Sequence, residues 1–269
     1  MKSSPFTFVK VSDYGTSNRI VARTFYQSQQ LLNLYAFDKE FETQNSEVMW
    51  EIQRQLLDCY EKSSSMMKEI ERSKLIFKEK VKNDPSFHPW IMNLHTRLES
   101  FFQSAKLGLR NIGCILKLFF GEDFGHFYHK ALKWAKEQFG EDDPLTKTLN
   151  SHSKWIVEII DIRNAIEHPT EKPRGRFHVD NFRIRRGNSR VQLAEPLWWL
   201  TDDRTHIVSE VLPIIVELLL RLSEELYVTS LIKQKTPIAV EIKEIAEENR
   251  DKSAPVRFRA IGLGIKSKE

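Results

Sequence analysis

The apolar residues of this chain recur mostly every three or four positions, which predicts a mainly helical protein. A clear pattern runs from Pro89 to about Phe120, with Gly121 as the stop. Another begins at Asp143-Pro144, a favourable N-cap and first helical residue, and ends at Pro169. Further helices are predicted over residues 17–41, 46–81 (interrupted near 63–65), 126–139 and 202–233. The fold class predicted is mainly α.

Short strands are predicted where apolar and polar residues alternate. Residues 172–195 predict a basic β-hairpin, because Phe182 and Ile184 alternate with arginines and Gly187-Asn188 suits the turn. The segments 6–11 and 256–259 also alternate, and we expect these terminal strands to pair with each other. Residues 236–248 fit either a short helix or, around 238–240, a strand.

These elements predict three parts of the chain. Residues 1–88 form an N-terminal strand and helices packed on the core, 89–235 a helical domain that carries the basic hairpin, and 236–269 a C-terminal tail. With 269 residues, the chain can bury a substantial core.

Composition excludes several classes of protein. The two cysteines lie in helical patterns, and the N-terminus has no apolar run of the signal-peptide kind, so we expect a reducing cytoplasmic setting. The most apolar stretch, 208–222, contains Glu210, Pro213 and Glu217 and is predicted to be a buried helix with no membrane role. The net charge of +4 permits a polyanionic partner. Because no glycine-rich phosphate loop or nucleophile signature occurs, we expect neither an NTPase nor a covalent hydrolase, and no cofactor.

The candidate chemistry lies at the end of the helix that starts at Pro144. Arg163, Asn164 and His168 provide a bidentate phosphate donor, a polar amide and an imidazole that can transfer protons near neutral pH. Arg163 falls on the apolar, core-facing side of this helix, whereas His168 lies about 140° around it. The two therefore meet at one ligand only if the helix unwinds near Pro169 or if two copies of the chain share a site.

This Arg-Asn-x-x-x-His sequence at a helix end resembles the signature of the HEPN superfamily of helical ribonuclease and nucleotide-binding domains. The resemblance covers Arg163 to His168 and implies a HEPN-like helical bundle. It also implies a metal-independent ribonuclease site completed across a homodimer. By family analogy, it further implies a toxin–antitoxin or phage-defence role, with an antitoxin or regulatory protein as partner.

A basic segment follows the motif directly and is a candidate RNA-binding face. Its outward arginines would hold an RNA backbone electrostatically, although a merely solvated charged hairpin fits the composition equally well. The candidate nucleic-acid-binding residues are Arg174, Arg176, Arg183, Arg185, Arg186 and Arg190. The adjacent Trp198 and Trp199 fit core or dimer packing better than base stacking.

Other polar residues have structural explanations. Glu122, His126 and His129 are spaced like metal ligands but have no fourth partner, so no metal site is predicted. His152 is expected to be a hydrogen-bonded core histidine. Glu167 is expected to be exposed and to point away from Arg163.

The sequence thus supports two functions of different classes. The first is an endoribonuclease in which the RNA 2′-hydroxyl attacks the adjacent phosphate, with His168 as acid or base, Arg163 stabilising charge and Asn164 orienting. The second is a non-catalytic helical module that binds RNA or nucleotide or only dimerises. In that case Arg163 is a buried arginine paired with a carboxylate, and His168 caps the helix.

Overall fold

The computed structural model describes residues 13–84, 86–169, 175–186, 191–201, 203–236 and 239–262. Within these ranges the chain is mainly helical, as the sequence predicts. No helix in the described ranges is long and apolar enough to cross a membrane. The predicted strand at 6–11 lies outside the described residues.

The N-terminal helices differ from the prediction at their ends. A short rod consists of α1 (Arg19–Val21), a π-helical turn (Ala22–Tyr26) and α2 (Gln27–Leu32), and it stops well before residue 41. The 42-residue helix α3 (Lys39–Lys80) then begins earlier than predicted, because the Asp38 side chain accepts a hydrogen bond from the Phe41 N–H at 2.8 Å. Helix α3 continues without a break through the serines at 63–65, so the predicted interruption is wrong.

Four more helices complete the bundle: α4 (Leu94–Phe120), α5 (Tyr128–Phe139), α6 (Pro144–Glu167) and α7 (Val208–Leu231). The glycines that follow α4 and α5, Gly121 and Gly140, have the positive φ angles that end helices. Helix α7 packs against α3, α4 and α6, and its contact with α6 confirms the predicted pairing of these two helices. The apolar core they share runs from Ile20 to Leu231.

Between α6 and α7 the described residues form five strands: β1 (Phe177–Asp180), β2 (Arg183–Arg186), β3 (Val191–Ala194), β4 (Leu197–Leu200) and β5 (His206–Ile207). Strands β2 and β3 pair antiparallel, which confirms the predicted hairpin. Strand β4 pairs with both β1 and β5, an arrangement that the sequence did not predict.

The C-terminal tail forms a hairpin of its own. Strand β6 (Val240–Glu244) pairs antiparallel with β7 (Phe258–Gly262). Of the two alternatives for 236–248, the strand is therefore correct. The predicted pairing of the last strand with residues 6–11 lies outside the described residues and stays a prediction, and the β6–β7 pairing is an additional contact that the sequence did not predict. Arg257, just before β7, is buried and binds both Glu225 on α7 and Glu244 on β6, which fixes the hairpin to the bundle.

Candidate functional site

Local sequence signals set both ends of helix α6 and so place the motif in its last turn. Asp143 accepts a hydrogen bond from the Leu145 N–H at 2.9 Å, and Pro144 occupies the first turn. At the other end the His168 N–H donates to the Asn164 carbonyl at 2.8 Å, but His168 itself has left the helix (φ −130°, ψ 64°). The helix therefore unwinds just before Pro169. This unwinding is one of the two conditions under which Arg163 and His168 are predicted to reach the same ligand.

The Arg163 side chain is directed into the protein, toward α4. Its Nε donates to the Gln103 side-chain oxygen and its Nη2 to the Glu167 carboxylate. Its Nη1 is buried and has no hydrogen-bond partner within the described part of the chain. Burial lowers the pKa of Arg163, and the nearby Glu99 carboxylate opposes this effect. Arg163 is thus a buried, partly satisfied guanidinium that keeps a spare donor.

The expectation for Glu167 is corrected by this geometry. Residues four apart on a helix are neighbours on the same face, so Glu167 reaches Arg163 and does not point away from it. The Glu167 side chain is nevertheless 37% exposed. Its carboxylate can therefore turn toward solvent without disturbing the core.

Lys106 on α4 is a component of this cluster that the sequence did not reveal. Its Nζ lies 3.3 Å from the Asn164 side-chain oxygen and 3.4 Å from the Glu167 carboxylate. Lys106 thereby places a second cation beside Arg163 and links α4 to α6. Gln103 and Lys106 follow a polar stripe of α4, but no local pattern indicates which helix that stripe faces.

A further imidazole lies on the same side of α4. The segment before α5 sits against α4, because the Tyr128 hydroxyl donates to the Leu109 carbonyl at 2.8 Å and Gly125 contacts Gly113 directly. This docking brings His126 close to Lys106 and Arg110. Burial, followed by these two cations, lowers the pKa of His126 and so favours the neutral form of its ring.

His168 has a different environment from Arg163. The His168 side chain is exposed one residue beyond α6, whereas the Arg163 side chain is buried between α6 and α4. Asn164 lies between them in exposure and contacts Lys106. The structure therefore brings Arg163, Asn164, Gln103 and Lys106 together within one chain and leaves His168 at the adjoining surface.

The basic hairpin has the predicted sidedness. Phe182 is buried and Ile184 half-buried, while Arg183 and Arg185 are exposed on the outer face. Arg183 also forms an ion pair with Asp180. Arg176, before β1, is exposed as well. Arg174, Arg190 and the side chain of Arg186 lie outside the described residues.

The core predictions are confirmed for Trp198 and His152 but not for Trp199. Trp198 is 2% exposed and packs edge-to-face on Phe102, so it belongs to the core. Trp199 is half-buried and stacks on His178. The His152 Nε2 lies 2.8 Å from the Glu225 carboxylate, and its Nδ1 accepts from the Trp155 indole at 2.9 Å. His152 is therefore a satisfied core histidine.

In the described ranges, no group of three or more His, Cys, Asp or Glu side chains is arranged to hold a metal ion. A comparison of the chain with protein-family models, with curated proteins and with solved structures gives no match in any of the three.

Proposed function

We propose that this chain is a metal-independent endoribonuclease of the HEPN type, acting in the cytoplasm on RNA. The observation that carries the proposal is the cationic cluster at the end of α6, where Arg163 keeps a spare Nη1 donor and Lys106 stands beside Asn164. Such a cluster suits the developing negative charge of a phosphodiester under attack. The exposed His168 at its edge supplies a group for proton transfer.

The proposed reaction needs only groups of the RNA and of this cluster. The 2′-hydroxyl loses its proton and attacks the adjacent phosphorus, and the P–O5′ bond breaks. The products are a 2′,3′-cyclic phosphate and a 5′-hydroxyl. Overall one proton passes from the 2′-hydroxyl to the departing 5′-oxygen, and His168 acts as base or acid in this transfer. Arg163 stabilises the charge on the pentacoordinate phosphorus, and Asn164 orients the phosphate.

Binding of a phosphate requires Glu167 to move. The Glu167 carboxylate occupies the Nη2 donor of Arg163 and contacts Lys106, which are the groups that a phosphate oxygen would use. Because Glu167 is partly exposed, an incoming phosphate can displace it into solvent and take over both cations.

A second copy of the chain completes the proposed site. His168 is at the surface and Arg163 is inside, so a two-fold pairing of α6 ends would bring the imidazole of one chain to the Arg163 cluster of the other. The toxin or phage-defence role, with an antitoxin or regulatory partner, rests on the family resemblance alone.

One observation favours a second candidate function, a non-catalytic RNA-binding module. Two of the three nitrogens of the Arg163 guanidinium are already bound by Gln103 and Glu167, as expected for a structural arginine. In such a module the arginines of the hairpin would hold the RNA and α6 would only stabilise the bundle.

One experiment distinguishes the ribonuclease from the non-catalytic RNA-binding module. Purified chain is incubated with RNA in the presence of EDTA, beside the variants His168→Ala and His129→Ala. His129 is an exposed histidine on α5 and serves as the matched control. The proposed ribonuclease cleaves the RNA, loses this activity in His168→Ala and keeps it in His129→Ala. RNA binding without any cleavage by the unaltered chain supports the module.

A further inference from the structure

Residues 88–92, which precede α4, present an exposed aromatic surface. Burial alternates along this non-helical segment, with Pro89 and Ile91 buried and His88, Trp90 and Met92 exposed. This alternation is that of an extended chain lying on the protein. Trp90 is 61% exposed and Met92, two residues on, is 67% exposed, so the segment presents more than one large apolar side chain to solvent.

The backbone beneath Trp90 is held firmly. The side chain of Asn181 accepts a hydrogen bond from the Ile91 N–H at 3.1 Å and donates to the Ile91 carbonyl at 2.8 Å. The Ile91 side chain is fully buried. The backbone next to Trp90 is therefore already ordered, so binding of a ligand to the indole would cost little backbone conformational entropy.

The same asparagine places Trp90 beside the basic hairpin. Asn181 precedes Arg183 by two residues, a span of at most about 7 Å of extended chain. The strand that carries the exposed Arg183 and Arg185 therefore starts near the backbone of Ile91, the residue after Trp90. Arg183 is also paired with the Asp180 carboxylate, which a phosphate would have to displace. An exposed aromatic ring near arginines is typical of surfaces that bind single-stranded nucleic acid. The bases stack on the ring, and the phosphates form ion pairs with the arginines.

We infer that Trp90 is a stacking platform for an unpaired base of single-stranded RNA, with Arg183 and Arg185 binding the flanking phosphates. This inference rests on the RNA binding in the proposed function and narrows the substrate to unpaired segments, since bases in a duplex are not free to stack on a side chain. The adjoining positive charge favours a polyanion over a protein as the occupant.

The test uses a labelled single-stranded oligonucleotide and a duplex of the same length, titrated into the full chain and into Trp90→Ala, Trp90→Phe and Tyr26→Ala. Tyr26, an exposed aromatic residue in the π-helical turn, is the matched control. We expect Trp90→Ala to weaken single-strand binding about 5- to 100-fold, which is the usual effect of one lost stacking contact. Trp90→Phe should keep most of the affinity, and Tyr26→Ala should keep all of it.

Each other outcome overturns the inference in a distinguishable way. Unchanged single-strand affinity in Trp90→Ala excludes the platform but leaves the proposed ribonuclease intact. An equal loss for single strand and duplex excludes stacking as the cause. A loss of self-association in Trp90→Ala, with RNA binding unchanged, assigns the ring to a protein contact. If the unaltered chain binds no RNA, the inference and the proposed function both fail.

Discussion

The guanidinium of Arg163 and the carboxylate of Glu167 form an ion pair one turn apart, at the point where the chain leaves α6. Lys106 approaches the same carboxylate from α4, so one anion is shared by two cations. A phosphate that enters this cluster has to replace that anion. The pairing therefore makes Glu167 the residue whose removal most simply distinguishes a ligand site from a structural ion pair.

We predict that Glu167→Gln increases the affinity for RNA about two- to tenfold at low salt, because the competing negative charge is gone. Fluorescence anisotropy with a labelled oligonucleotide measures this change. The matched control is Glu137→Gln, which removes the same charge from an exposed ion pair with Lys133 on α5. An equal gain in both variants would show only a change in net charge and would contradict a specific site at Arg163.

We predict that Arg185→Ala weakens RNA binding by a similar factor for every RNA sequence, because the proposed interface places Arg185 on a phosphate and not on a base. The slope of log affinity against log salt should fall by about one. Arg259→Ala on β7, which removes an exposed arginine far along the chain, is the control. Equal salt slopes for Arg185→Ala and the unaltered chain would show that Arg185 binds no phosphate, which would contradict a role of the hairpin in RNA binding.

Two glycines of α4 make a matched pair for testing how the segment with His126 is held. A Cβ at Gly113 would lie 2.4 Å from the Gly125 carbonyl oxygen, whereas one at Gly108 would meet no atom closer than 3.8 Å. We predict that Gly113→Ala destabilises the fold by about 1–3 kcal/mol. Gly108→Ala should be neutral or stabilise by up to about 1 kcal/mol. Urea denaturation measures both, and equal unfolding free energies would contradict the close contact.

Glu225 makes the stability of the fold depend on acid pH. Burial disfavours its charged form, but hydrogen bonds from His152 and Arg257 outweigh this and lower the pKa of Glu225 from 4.5 to about 2. A lowered carboxyl pKa stabilises the fold above pH 4.5, and this stabilisation is lost as the pH falls toward 2. The contribution is on the order of 3 kcal/mol.

We therefore predict that Glu225→Gln is less stable than the unaltered chain at pH 7 and loses less stability between pH 5 and pH 2. Denaturant unfolding at a series of pH values measures this. Glu210→Gln, an exposed carboxylate on the same helix, should retain the original pH dependence. If Glu225→Gln shows the same acid dependence as the unaltered chain, the buried ion pairs do not control acid stability.

The parts of the fold that the sequence predicted are those with local signals. Helix α6 was bounded correctly because Asp143, Pro144 and Pro169 act within a residue or two of its ends. The start of α4 was placed too early because Ile91 fits a helical spacing as well as an extended one. The Asn181 side chain, 90 residues away, binds the Ile91 backbone in its extended form. Such a contact leaves no trace in local periodicity.

The sequence likewise predicts only the part of the candidate site that lies on α6. Arg163, Asn164 and His168 came from a short motif, and their position at a helix end is confirmed. Gln103 and Lys106 were missed, because their role depends on α4 packing against α6 some 60 residues later. The exposure of Trp90 has no signal in the sequence, because a tryptophan in an apolar pattern ordinarily belongs to the core.

The central claim is that the end of α6 is a site for cleavage of RNA by its own 2′-hydroxyl. The most direct measurement is the chemical identity of the ends produced when the purified chain acts on RNA in EDTA. We predict 2′,3′-cyclic phosphate and 5′-hydroxyl ends, and no cut where the attacking nucleotide is 2′-deoxy. Ends bearing a 5′-phosphate, cleavage of the 2′-deoxy substrate, or intact RNA would contradict the account.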